Sequence, residues 1–104
     1  MTSSFQIVYW RDIPAQVKVK AGRERAAKPL SERFQVFIDR AAMRAGMFNT
    51  DDYLGEWRTG EAGERAGEPQ AVAEAVIAEL EAAYSDERLE TLAQNGGKEG
   101  ASNP

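Results

Sequence analysis

The part of the sequence that most restricts the fold is residues 5–20, which hold two β-strand patterns on either side of a turn. Phe5–Arg11 is rich in β-branched and aromatic residues and is too short for a typical helix. Residues 12–14 have turn chemistry, since aspartate bonds its own backbone and proline cannot donate in a central ladder. Residues 15–20 then alternate apolar and polar. This pattern predicts an antiparallel hairpin, which must pack against other elements because an isolated hairpin is only marginally stable in water.

The first predicted strand has apolar side chains on both of its faces. Strict alternation places Phe5, Ile7 and Tyr9 on one face, and Val8 and Trp10 on the other. A strand that is apolar on both sides is usually covered on both sides, by its own protein or by another molecule. The sequence therefore raises the question of what covers Trp10.

Three helices are predicted after the hairpin. The first is capped by Ser31 and ends near Ala45. The second is a short helix over residues 51–57, capped by Thr50. The third covers residues 70–84, and a short helical piece with Leu89 and Leu92 continues it. Residues 21–29 and 59–69 are predicted as loops, the first basic and the second glycine-rich and mobile. The expected fold class is α+β in the order β-β-α-α-α.

One domain is expected over residues 5–93, since 104 residues suit a single domain. Residues 94–104 are glycine-rich and polar, and a disordered tail is predicted there because they offer little apolar surface to offset the entropy of ordering. On this prediction, a chain ended at Ala93 keeps its melting temperature.

The absence of two residue types limits the chemistry of the chain. It contains no cysteine and no histidine, so disulfides, thiolate nucleophiles and the commonest metal ligands are missing. Asp51, Asp52 and Glu56 are not interpreted as a metal or acid–base cluster, because Asp51 and Asp52 lie where a helix N-terminus favours acids. We predict no catalytic residue, no metal and no cofactor. No apolar segment has membrane length and no secretory signal is evident, so a cytoplasmic protein is expected.

Charge is divided unevenly along the chain. Residues 1–46 carry nine Lys/Arg against four Asp/Glu, a balance of +5, whereas residues 47–104 carry four against thirteen, a balance of −9. Either the two halves neutralise each other across the fold, or a basic face remains that docks an anion or an acidic partner. The acidic third helix argues against nucleic acid as a partner.

Three stretches of the sequence together resemble a known family. They are Ile7–Val17, which contains YWRDIPAQV, then Ser31–Gly46 and Tyr53–Arg58. Over residues 5–58 they are similar to the small bacterial proteins named virulence factor domains. The resemblance implies an accessory role beside a larger enzyme, of the kind found in folate-linked one-carbon and corrinoid methyl-transfer metabolism. It supplies no catalytic residues that can be carried over.

Two surfaces are candidates for binding. The first is a protein-docking surface formed by Trp10, Val36 and Met43 and edged by Arg11 and Arg40, because an exposed apolar patch on a small protein usually marks an interaction site. The alternative is that Tyr53, Leu54 and Trp57 fold back and bury the same groups. The second candidate is a small-anion site using the basic loop and the arginine row of the first helix, and it comprises Arg23, Arg25, Lys28, Arg33 and Arg44.

Overall fold

A computed structural model describes residues 1–47 and 50–98 of the chain. Its elements, in chain order, are β1 (Thr2–Trp10), β2 (Ile13–Ala21), β3 (Glu24–Pro29), α1 (Glu32–Arg44), α2 (Thr50–Leu54), β4 (Trp57–Thr59), β5 (Gly63–Ala66), α3 (Pro69–Ala83) and α4 (Asp86–Gln94). The α+β class is confirmed, and so is the antiparallel pairing of the first two strands. The described residues contain no helix with the length and apolar content that a membrane crossing requires.

The sheet is larger than the predicted hairpin. The order β3-β2-β1-β4 is antiparallel throughout, and β5 also pairs with β1. The predicted loops over residues 21–29 and 59–69 were therefore wrong in part, since they contain β3 and β5 and the last residue of β4. Their sequences are charged and rich in alanine and glycine, which are poor strand formers. Pairing with β1 and β2 makes strands of them despite this local preference.

The helices follow the prediction more closely, with three corrections. The helix predicted over residues 51–57 ends at Leu54, and Trp57 belongs to β4. The described residues contain four helices where three were expected, because α4 is a separate helix that begins after Ser85, whose side chain accepts a hydrogen bond from the Arg88 amide. Ser31 does precede α1, but its side chain makes no capping bond. Its hydroxyl instead donates to Glu81 Oε1 on α3 at 3.0 Å. The serine thus ties α1 to α3.

An irregularity in β1 decides which way Trp10 points. Ile7 pairs with Val17 and Trp10 pairs with Ile13, with a register shift between Val8 and Tyr9. Directly paired residues share a face of the sheet, and Ile13 and Val17 are both buried. Trp10 therefore lies on the same face as Ile7, and the strict alternation expected from the sequence was wrong at this point. The register passes from the pair Val8–Gln16 to the pair Tyr9–Pro14, so no residue of β1 lies opposite Ala15, and the two strands lose their common alternation there.

The core lies between one face of the sheet and the helices. One buried cluster joins the Trp10 end of the sheet to α1 and α4, and a second joins β2 to α3. The largest fully buried side chains include Trp10, Phe34, Ile38 and Leu89. The opposite face of the sheet carries polar and charged residues such as Lys18 and Lys20, which are exposed.

The folded part of the chain continues beyond residue 93, so the predicted start of the tail was wrong. Gln94 belongs to α4, and Gly96 and Gly97 are buried. The Asp12 amide donates to the Gly97 carbonyl at 2.8 Å. A Cβ at Gly97 would lie 2.8 Å from the Trp10 ring, so only glycine fits there. These contacts use the backbone, which composition does not reveal. The rest of the predicted tail, residues 99–104, lies outside the described residues.

Candidate functional site

The solvent side of α1 carries two large apolar side chains. The inner side of the helix buries Phe34, Ile38 and Ala41. Val36 is 42% exposed and Met43 is 66% exposed. Together with Arg40 they are spaced four and three residues apart, which places all three on one side of a helix. We call Val36, Arg40 and Met43 the outer face of α1.

Arg40 lies at the centre of this outer face and is held from both sides. Its guanidinium lies 5.2 Å from the centre of the Phe37 ring, and its Nη1 is 3.2 Å from Glu90 Oε2 on α4. Beside it runs a shallow groove of about 360 Å³ between α1 and α4, lined by Arg40, Met43, Arg44, Glu90, Ala93 and Gln94. The outer face thus combines exposed apolar surface with an ordered ion pair.

Trp10 is not part of any surface, which corrects the docking hypothesis. The side chain is fully buried, its indole N–H donates to the Tyr53 carbonyl at 2.9 Å, and its ring stacks on the Tyr53 ring at 5.7 Å. Trp57 meets the edge of Tyr53 at 6.0 Å. The alternative given above, burial by the segment after α1, therefore holds for Trp10, which Tyr53 and Trp57 help to cover. It does not hold for Val36 and Met43, which stay exposed, and Leu54 is itself 56% exposed.

Arg11 is likewise a structural link and not the rim of a surface. Its side chain is 14% exposed, and its Nε lies 2.7 Å from Glu56 Oε1. Its Nη1 donates to the Gly96 carbonyl at 2.9 Å, and its Nη2 contacts Met47 Sδ at 3.7 Å. The residue has a φ of 53°, which is rare without glycine. Contacts with three separate segments hold this strained turn in place, so Arg11 has a structural role.

The residues of the predicted anion site do not come together. Arg33 binds Glu81 at 3.1 Å and Asp86 at 2.9 Å, and Lys28 lies 3.7 Å from Glu74. Arg23 and Arg25 lie in the β2–β3 hairpin, whereas Arg44 ends α1. Burial alone would raise the pKa of Glu81, but hydrogen bonds from Ser31 and the charge of Arg33 hold that pKa below its usual value. Arg33 and Lys28 therefore neutralise acids of the second half of the chain.

Two exposed cations of the outer sheet face, Lys18 and Lys20, were not among the predicted site residues. The alternation of residues 15–20 places both on the outward side of β2, and their exposure agrees with it. Lys20 pairs directly with Arg25 on β3. The cluster was not predicted because β3 was not predicted, although the alternation of residues 15–20 and the nearby arginine were visible in the sequence.

The carboxylates singled out in the sequence do not form a metal site in the part of the chain that the structure describes. Glu56 is bound to Arg11, and Asp51 and Asp52 are exposed in the first turn of α2. Over residues 1–47 and 50–98, no group of three or more potential acidic, histidine or cysteine ligands is close enough to hold an ion.

Comparison with known proteins gives one match. A family model described as "Virulence factor" matches residues 8–93, which is most of the chain. The matched range includes β1 from Val8, the helices α1 to α3, α4 up to Ala93, and the outer face of α1. No curated protein and no solved structure matches the chain.

Proposed function

The chain belongs to the virulence factor family, and on that premise we propose that it is an accessory module that binds a larger protein through the outer face of α1. The observation that carries the proposal is the exposure of Val36 and Met43 on one side of a helix whose other side is buried in the core. Exposed apolar side chains grouped on one face mark a contact surface more often than isolated ones do.

The composition of this face suits a protein partner. Methionine and arginine are enriched at protein interfaces. Such interfaces usually have an apolar centre surrounded by polar residues. Here Arg40 lies between Val36 and Met43, and its ion pair with Glu90 adds polar contacts beside Met43. The spacing of Val36, Arg40 and Met43 is that of a helix which lays one side into a groove of its partner.

An enzyme is the partner class that we propose. The chain has no histidine or cysteine, which leaves catalysis to the partner in this proposal. The family resemblance supports an enzyme of one-carbon metabolism in the cytoplasm. The accessory protein would then position or regulate that enzyme without taking part in its chemistry.

The proposal is tested by replacing Met43 with lysine. Because Met43 is 66% exposed, the variant should keep its circular dichroism spectrum and its melting temperature within a few degrees. It should lose co-purification with the native partner, since a charge placed in an apolar contact is left without a counter-charge. The measurement is the amount of partner recovered from the source cells by equal amounts of the variant and the unaltered protein.

Met43→Leu is the matched control, since it keeps apolar volume at the same position and should retain the partner. Unfolding of the Met43→Lys protein would mean that Met43 belongs to the core, and the site would be wrong. Unchanged partner recovery with Met43→Lys would place the contact elsewhere.

A further inference from the structure

A second surface lies on the side of the sheet that the helices leave open. Its residues follow from the pairing register, in which Ser4 lies opposite Lys20 and Lys20 opposite Arg25. In the next row, Gln6 lies opposite Lys18. Lys18, Lys20 and Arg25 are exposed. Ser4 and Gln6, on the central strand β1, are half-buried. We call these five residues the outer sheet cluster.

The outer sheet cluster lines a concavity. A depression of about 410 Å³ lies over β1, β2 and β3, and all five residues border it together with Val19, Ala26 and Ala27. That volume falls within the range of small-molecule sites. Three cations surround it, and Ser4 and Gln6 add a hydroxyl and an amide as hydrogen-bond donors.

The cations of this cluster differ from most others in the described part of the chain. Arg11, Lys28, Arg33, Arg40, Arg58 and Arg65 each form an ion pair with a carboxylate. No ion pair between described residues involves Lys18, Lys20 or Arg25. By register, the nearest acid on this face is Glu64 on β5, which lies opposite Ser4 and is separated from Lys20 by the whole of β1.

Lys20 and Arg25 lie directly opposite each other on adjacent strands. Two like charges in such a pair repel each other and destabilise the sheet. An anion bound between them removes that repulsion. Lys18 follows on the same side of the same strand, about 7 Å from Lys20 at the usual rise per residue. A ligand that meets all three must therefore carry several negative charges within a short distance.

We propose that the outer sheet cluster binds the phosphate chain of a small molecule. Lysine and arginine both bind phosphate by charge-assisted hydrogen bonds, and adjacent phosphates supply the required density of charge. A long nucleic acid suits the site less well, because Glu64 lies on the same face at the neighbouring strand β5 and the net charge of the chain is −4. The aromatic ring that could stack a base, Tyr9, already carries Arg58 at 4.5 Å. An acidic peptide offers about one charge per residue and loses chain entropy on binding.

The test is a titration of the whole chain with inorganic tripolyphosphate at constant ionic strength, followed by backbone amide chemical shifts. Saturable shifts should be confined to residues of β1, β2 and β3 around the cluster. Lys20→Gln should weaken the affinity about tenfold, because one charge-assisted contact is lost. Arg25→Gln should do the same. Lys98→Gln, which removes an exposed lysine from another part of the molecule, should leave the affinity unchanged.

Three outcomes would overturn this proposal. Chemical shift changes that grow without saturation would indicate general screening of charge. Changes around Lys98 and Arg44 as large as those around the outer sheet cluster would indicate the same. Tighter binding of a single-stranded oligonucleotide than of tripolyphosphate would identify an extended nucleic acid as the ligand. Tighter binding of a glutamate-rich peptide would identify a protein segment. The result is independent of the Met43 test, since the two surfaces share no residue.

Discussion

Replacing Trp10 with alanine should lower the free energy of unfolding by about 3–5 kcal/mol, the usual cost of removing a buried tryptophan or phenylalanine side chain. Trp10 is fully buried, and it contacts Tyr53 from one side and Gly97 from another. The change leaves a cavity and also removes the donor of the bond to the Tyr53 carbonyl. For a domain of this size, the melting temperature should fall by at least about 12 °C.

Thermal unfolding followed by circular dichroism measures this effect, and Tyr9→Ala is its control. Tyr9 is the neighbouring aromatic residue, but it is only half-buried and lies beside the exposed Arg58. Its replacement should cost clearly less than that of Trp10. Equal effects, or a small effect for Trp10→Ala, would show that Trp10 is not the centre of the core and would restore it as a surface residue.

Ending the chain at Ala93 should lower the free energy of unfolding by about 2–4 kcal/mol. The shortened chain lacks the Gly97 carbonyl that accepts from the Asp12 amide and the Gly96 carbonyl that accepts from Arg11. A hydrogen bond to a charged group contributes about 1.5–3 kcal/mol, and a neutral one about 0.5–1.5 kcal/mol. Removal of Gly97 also exposes one edge of the Trp10 ring to water.

The comparison that isolates this effect is a chain ended at Lys98, which keeps every contact named here. Urea unfolding of the two shortened chains should give a lower midpoint for the chain ended at Ala93 and a midpoint near that of the full chain for the other. Equal midpoints for the two shortened chains would support the tail boundary at residue 94 that composition suggested.

The sequence predicted the elements whose side chains show a clear period. The alternation of residues 15–20 predicted β2, and the apolar stripes predicted α1 and α3 to within about two residues of their observed ends. It did not predict β3, β4 or β5, because their residues become strands only by pairing with β1 and β2. The register shift at Val8 also leaves no mark in the period, so the orientation of Trp10 was missed.

The same division applies to the candidate site. Val36 and Met43 were identified as a second apolar spot from helical spacing, and both are exposed. Arg11 was misjudged because its partners, Glu56 and Gly96, are far away in sequence. Arg33 was offered as an anion ligand, yet the fold brings Glu81 and Asp86 to it. Contacts between distant segments decide which cations are already paired with acids. The spacing of residues along the chain does not reveal these contacts.

Cross-linking from the outer face of α1 tests the central claim most directly. A photo-reactive phenylalanine analogue is placed at position 36 in the source cells, and the same analogue is placed at Ala78, an exposed position on α3, as the control. We expect position 36 to give one discrete adduct with a larger protein, which is lost when Met43→Lys is added, and position 78 to give none. Equal adducts from both positions, or an adduct from position 36 that survives Met43→Lys, would contradict the assignment of the outer face of α1 as the partner-binding surface.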